Sequence, residues 1–230
     1  MAVFLFGRGK PPEPLNPIFL ENSWEQIIKA CQMDKVPDTW KIGDYKTMII
    51  DGAIYQVDII GKNHDLYSDG TGSAPLTFQL HDCYSSTYGM NIGSVNAGGW
   101  EACEMRKTFL PAILALMPSE VQTGIREVSK LSGAGSQNNT MVTTSDKLFL
   151  LAEIEIVGGT AYGSGREGVQ YAYYSAGNTR IKKVSGTTRK WWNRSPSTSS
   201  PFQFGCIDTS GSAAADTVNL SNGVSFGFCF

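Results

Sequence analysis

The side chains with the most reactive chemistry are scarce and scattered in this sequence. The five cysteines, Cys31, Cys83, Cys103, Cys206 and Cys229, are odd in number and far apart. No two fall at a C-x-x-C spacing, so neither a disulfide framework nor a zinc site is indicated. Buried free thiols acting as small hydrophobes are the expectation. His81-Asp82-Cys83 sets an imidazole, a carboxylate and a thiol side by side. A catalytic dyad there needs a nucleophile brought within reach by the fold, and the pattern specifies none. Asp65 and Asp69 lie in a polar, glycine-punctuated loop from Gly61 to Gly72 that also carries His64. Their carboxylates could hold Ca²⁺, but the closing bidentate Glu and the regular ligand spacing are missing. A hydrogen-bonded structural loop is expected, with no metal and no cofactor. Gly158 to Gly168 is glycine-rich yet lacks the strand-before, helix-after order of a phosphate cradle.

Recognition chemistry is concentrated in Trp191 to Phe230. This stretch opens on Trp191-Trp192-Asn193-Arg194-Ser195-Pro196 and closes on Gly223-Val224-Ser225-Phe226-Gly227-Phe228-Cys229-Phe230, with mostly Ser, Thr, Ala, Gly and Asn between. The aromatic ends carry the apolar area of core strands, while the middle is too small and polar to pack a core. That combination predicts a rigid frame holding a tolerant outer surface. The face is assigned to Asn193, Ser197, Thr198, Ser200, Phe202, Gln203, Asp208, Asp216, Asn219, Leu220 and Asn222. Ser, Asn and Asp supply adaptable hydrogen bonds, and Phe202 an aromatic anchor of the kind that dominates interfaces. Trp191, Trp192, Arg194, Phe204 and Phe228 are assigned to the frame, with Arg194 anchoring carbonyls or a carboxylate beneath the Trp pair.

The elements that must position this surface can be read along the chain. With 230 residues, 41% hydrophobic and 17% charged, the sequence suits one good core. The formal net charge of −2, with the signs intermixed, argues against a nucleic-acid partner. Lys182, Lys183, Arg189 and Lys190 form the only basic cluster and read as a solvated hairpin. No stretch approaches the roughly 20 apolar residues of a membrane span, and Ala2 to Phe6 is too short for a signal h-region. A soluble cytoplasmic product without membrane insertion is expected.

Residues 1 to 22 combine that apolar run with Pro11, Pro12, Pro14 and Pro17, and read as an extended arm for attachment or oligomerisation, which either docks on a neighbouring subunit or carrier or lies across its own domain. The folded domain is placed at 23 to 230. Ser23 and Gln26 form a capping-box pattern ahead of a helix at about 24 to 33. Thr47 to Ile60 reads as a hairpin turning at Asp51-Gly52, and Leu76 to Leu80 as a strand. A helix is expected from about Trp100 to Phe109, broken by Pro111, with a further turn at 112 to 117 and another short helix from Pro118. Ile125 to Leu131 reads as a strand, Ser132 to Ser145 as a mobile loop, and Leu148 to Leu151 as buried.

Several ordered motifs carry a resemblance. Trp40-Lys41-Ile42-Gly43-Asp44, Ile59-Ile60-Gly61-Lys62-Asn63-His64-Asp65, Gly98-Gly99-Trp100 with Met105-Arg106, Lys147 to Leu151, Trp191-Trp192-x-Arg194-Ser195-Pro196 and Gly223 to Phe230 together resemble an uncharacterised domain family of gut gram-positive bacteria and their prophages. The resemblance covers about residues 38 to 230 and departs from the usual pattern at Asn193, Ala152 and Ser225.

That family looks related to the C-type-lectin-like fold shared by formylglycine-generating enzymes and the variable proteins of diversity-generating retroelements. The resemblance implies an α+β single domain with short helices and small antiparallel sheets. It also implies a phage or prophage tail-associated receptor-binding protein, located at the tail tip of the virion. Its partners would be a host-cell surface protein or glycan and, through the N-terminal arm, other virion tail proteins, in a homo-oligomer with a trimer favoured. In such variable proteins adenine-directed mutagenesis rewrites a C-terminal face. From Trp191 onward the chain has no Lys, Glu or Met, the bias that randomised AAC or AAT codons leave, with Gln203 departing from it. The alternatives are a bacterial surface module without a virion, and an enzyme of the formylglycine-generating type. The enzyme would need a reactive copper-binding cysteine pair, for which Cys206 and Cys229 lie in the right half.

Overall fold

A computed structural model describes residues 14–138 and 140–230. Within it, Phe19–Glu21 forms a 3₁₀ turn and α1 spans Trp24–Gln32. The capping box is present: Ser23 Oγ accepts from the Gln26 N–H at 3.1 Å, and Gln26 Oε1 accepts from the Ser23 N–H at 2.8 Å. The hairpin follows as β1 (Tyr45–Ile50) and β2 (Ala53–Gly61), with Ile50 facing Ala53 across the turn. Asp51 and Gly52 both take positive φ, 50° and 75°, the left-handed pair that matches strand twist and that Asp-Gly supplies.

Next come β3 (Thr77–Leu80), α2 (Gly99–Ala102), a π-helical turn (Met105–Phe109), α3 (Leu110–Leu114) and α4 (Ser119–Gly124). The expected single helix from 100 to 109 is therefore two pieces. Cys103 is extended at φ −68°, ψ 151°, and the Leu110 N–H bonds back five residues to the Met105 carbonyl. Pro111 has no N–H to continue the ladder and sits in the first turn of α3, where none is needed.

The chain continues with β4 (Val128–Gly133), β5 (Met141–Asp146), β6 (Leu148–Phe149), α5 (Glu153–Val157), α6 (Ala172–Ser175), β7 (Lys182–Val184), β8 (Thr187–Arg189), β9 (Trp191–Pro196), β10 (Gln203–Ile207), β11 (Ala213–Thr217) and β12 (Gly227–Cys229). Ser132 to Ser145 is not all loop. Met141-Val142-Thr143-Thr144-Ser145 pairs antiparallel with β4 in register from Val128↔Asp146 to Gly133↔Met141. Its β-branched residues suit a half-buried strand despite their polarity.

The main sheet runs β1-β2-β3-β12-β6, and β11-β10-β9, β4-β5 and β7-β8 form smaller antiparallel sheets. This is a mixed α+β domain of small antiparallel sheets and short helices. Phe78 lies at the centre of the aromatic core, with ring centroids 5.2 Å from Phe228, 5.4 Å from Phe230, 5.9 Å from Trp24 and 6.0 Å from Phe19. Phe19 is buried and Leu15 packs against the same core. Leu15 and Phe19 of the arm thus lie against its own domain, one of the two placements that the sequence leaves open. Ala2 to Phe6, Pro11 and Pro12 lie outside the described residues. No helix among the described residues is long and apolar enough to cross a membrane.

Candidate ligand-binding face

The frame of the C-terminal sheet is buried throughout. All six residues of β9 are inaccessible, and the Trp191 and Trp192 indoles donate to the carbonyls of Arg180 at 2.9 Å and Tyr88 at 2.7 Å. Arg194 is fully buried. Its guanidinium grips Glu155 through two bonds of 2.5 and 2.9 Å and donates to the carbonyls of Leu150, Leu131 and Glu167. Burial works against both charges. The Glu155 carboxylate nevertheless raises Arg194 above its ordinary pKa, and Arg194 with Lys130 brings Glu155 below its own. The bonds that the Trp191-Trp192-x-Arg194 motif makes thus explain its residue types: two indole donors and one planar fork.

Glu153, also buried, accepts from the backbone N–H groups of Ala161, Tyr162 and Gly163 at 2.7, 3.0 and 2.6 Å. This shapes the glycine-rich loop into a support rather than a phosphate site.

The eleven residues predicted to form the face divide into three groups. Asn193, Ser197 and Asn222 are buried, at 0%, 1% and 8% exposure, and leave the face. Asn193 Oδ1 accepts from the Ser195 N–H, and the side chain presses on Gly205, where β9 and β10 lie too close for a Cβ. Ser197 Oγ accepts from the N–H groups of Ser199 and Ser200 and caps their turn. Asn222 pairs with Tyr88 and donates to Asp216 at 3.2 Å.

Asp208 and Asp216 are half-buried. Asp208 closes the β10–β11 turn through Ser210 and Ser212, and Asp216 meets Lys190 at 3.2 Å. Asp208 follows the last residue of β10, five residues from Gln203 at the strand's other end, about 17 Å at strand rise.

Thr198, Ser200, Phe202, Gln203, Asn219 and Leu220 lie in the two segments, 198–203 and 218–220, that flank that other end. The Val218 N–H donates to the Phe202 carbonyl, and the Val218 carbonyl accepts from Met90 and Asn91. Asn96, inaccessible to solvent, ties in the same corner: its N–H donates to the Pro201 carbonyl at 2.7 Å and its Nδ2 to the carbonyls of Ser200 and Gln203.

Four large apolar residues from these tied segments remain open to solvent: Phe202 at 52%, Leu220 at 49%, Ile92 at 79% and Val95 at 43%. The backbone bonds tie the segments that carry these four side chains to one another, and exposed apolar side chains on neighbouring segments are what a contact surface needs. The sequence reading missed Ile92, Val95 and Asn96. The visible signal was two isolated aliphatic residues in an otherwise polar, glycine-bearing loop just before Gly98-Gly99-Trp100.

The competing chemical centres are built differently. His81 does meet a carboxylate, but it is Asp58 at 2.6 Å rather than Asp82, with Gln56 and Tyr173 also on Asp58. Among the described residues no Ser, Thr or Cys side chain bonds to His81. Asp65 pairs with buried Lys130 and Asp69 with Arg126 at 2.5 Å, so the two carboxylates serve separate ion pairs. No group of three metal-ligating residues occurs among the described residues. All five cysteines are free and buried. Cys206 lies on β10 and Cys229 on β12, in different sheets. Burial pushes Cys206 up to about 12 and raises Cys229 well above its ordinary value.

A family model described as "Domain of unknown function (DUF6273)" matches residues 77–229. Neither the curated proteins nor the solved structures give a match.

Proposed function

The chain belongs to the DUF6273 family, and from that premise we propose that it is a ligand-binding adhesin rather than an enzyme. The observation that carries this reading is the corner where Phe202, Leu220, Ile92 and Val95 stand exposed on backbone pinned by Asn96 and Val218. A binding face needs apolar anchors that are ordered before the ligand arrives, since ordering them on contact subtracts from affinity. The rim is Ser, Thr and Asn, which suits a host-cell surface protein or glycan.

The finer readings belong to the same proposal. They are a C-type-lectin-like fold, a prophage tail-tip location in the virion, attachment to other tail proteins through the N-terminal segment, a trimeric assembly, and diversification of the C-terminal stretch. Of the predicted residues, Thr198, Ser200, Phe202, Gln203, Asn219 and Leu220 form the face, joined by Ile92 and Val95.

The test is binding of the labelled protein to gut gram-positive cells. Phe202→Ser and Leu220→Ser should each lose binding at least several-fold while unfolding at the wild-type temperature. Undiminished binding by both variants would remove the face from the function.

A further inference from the structure

Independently of that reading, one buried cluster has the parts for a covalent reaction. Lys130 on β4, Asp65 in the loop after β2 and Glu155 on α5 are 2%, 5% and 3% exposed. Lys130 Nζ is in direct contact with Asp65 Oδ1 and lies 3.5 Å from Glu155 Oε1. The Phe149 ring sits 3.9 Å from the same nitrogen, and Tyr171, inaccessible to solvent, takes a bond from it at 2.8 Å. The second oxygen of Asp65 accepts from the Thr77 hydroxyl at 2.5 Å and the Tyr171 hydroxyl at 3.0 Å.

An amine held against a carboxyl carbon, a second carboxylate beside the amine, and two hydroxyl donors on the oxygen where charge would develop are the requirements for acyl transfer to nitrogen. The site is walled by aromatic rings, so water does not compete and an amide would not be hydrolysed.

We propose that Lys130 and Asp65 condense to an intramolecular amide, with Glu155 relaying the proton. One proton passes from Nζ to Oδ1 along their hydrogen bond, and Glu155 takes a second. The nitrogen lone pair forms the bond to Cγ while the carbonyl pair shifts to Oδ2, facing Thr77 and Tyr171. The pair then returns, the Cγ–Oδ1 bond breaks, and Oδ1 leaves as water with the proton returned by Glu155. An ammonium and a carboxylate become one neutral amide and one water, with no oxidant or cofactor required. Glu155 ends as it began, still paired with Arg194 at 2.5 Å, so no unbalanced charge is left behind. The bond would staple the β4–β5 sheet to the main sheet.

The experiment is the intact mass of the full chain under denaturing conditions, followed by tryptic mapping. The wild type should be lighter than its sequence mass by one water, and Asp65→Asn lighter by one ammonia. The two proteins would therefore converge on one mass, each with a branched peptide joining the Asp65 and Lys130 segments. Lys130→Arg should keep its full mass. Wild type at its sequence mass overturns the proposal. So does a water loss that maps to a succinimide at Asp51-Gly52 or Asp69-Gly70, or one that persists in Lys130→Arg.

Discussion

Replacing Arg194 with Met separates frame from face most sharply. Met fills much of the same volume and removes the guanidinium with its five bonds, two to Glu155 and three to the carbonyls of Leu131, Leu150 and Glu167. The Glu155 carboxylate would remain fully buried with its guanidinium partner gone. Breaking one side of a buried pair in this way costs about 3–5 kcal/mol, against about 5–15 kcal/mol for a whole domain. At about 2–4 °C per kcal/mol for a chain of this size, the midpoint should fall by about 6–20 °C.

The assay is urea and thermal unfolding followed by near-UV circular dichroism, with Phe202→Ser and Leu220→Ser alongside as face controls. Those two should stay within about 0.5 kcal/mol of wild type, as exposed sites do. Adding Glu155→Gln to Arg194→Met should recover part of the loss, because the stranded charge is gone. An Arg194→Met protein within about 1 kcal/mol of wild type would refute the claim that this motif holds the sheet in place.

The chain has two histidines, and they should titrate in opposite directions from 6.5 in a ¹H–¹³C correlation experiment. Burial lowers His64, whose ring stacks 3.9 Å from Tyr171, whereas the hydrogen bond to Asp58 raises His81; a reversed order would contradict the geometry. Because the folded pKa of His81 is raised, its stabilising contribution is full below 6.5 and fades as pH climbs through the folded value. Asp58 is lowered from 3.8, so its share is present above that pH and lost on acidification. The stability gap between wild type and His81→Gln should therefore peak between about pH 4 and 6.5, and a flat gap would show that the pair is not coupled. Native protein at pH 8 should react with a disulfide reagent at none of its five thiols on the minute scale, and at all five once unfolded. Burial places Cys31, Cys83, Cys103 and Cys206 at about 12 and raises Cys229 well above its ordinary value. Gly205→Ala should cost about 1–3 kcal/mol in urea unfolding, since its Cβ would come 2.5 Å from Asn193 Oδ1.

Local chemistry was legible in the sequence where one short segment determines its own shape. Ser23 with Gln26 and Asp51-Gly52 named a helix start and a hairpin turn because each satisfies its constraint within a few residues. The Trp191-Trp192-x-Arg194 frame was legible because such large side chains have few places to go. Asn193, Ser197 and Asn222 were misread because polarity alone does not reveal where a polar group finds its partner. The Asn193 amide and the Ser197 hydroxyl bond the backbone of their own strand and turn, and the Asn222 amide bonds the Asp216 carboxylate. Lys130 and Asp65 are 65 residues apart, and no local pattern announces a pair that only tertiary folding creates. Ile92 and Val95 were hidden for the same reason: what makes them part of a surface is the Val218 and Pro201 carbonyls that hold their loop from the other end of the chain.

The position of β12 between β3 and β6 has a consequence for how the protein is made. A ribosome delivers residues 227–229 after both strands that flank them, so a slot in the middle of the main sheet stays open until that late segment emerges. Closure waits for translation to pass the whole Trp191 to Phe226 stretch, whatever residues its outer corner carries. A nascent chain that stops short of that segment is left with two unpaired strand edges and an unfilled seam.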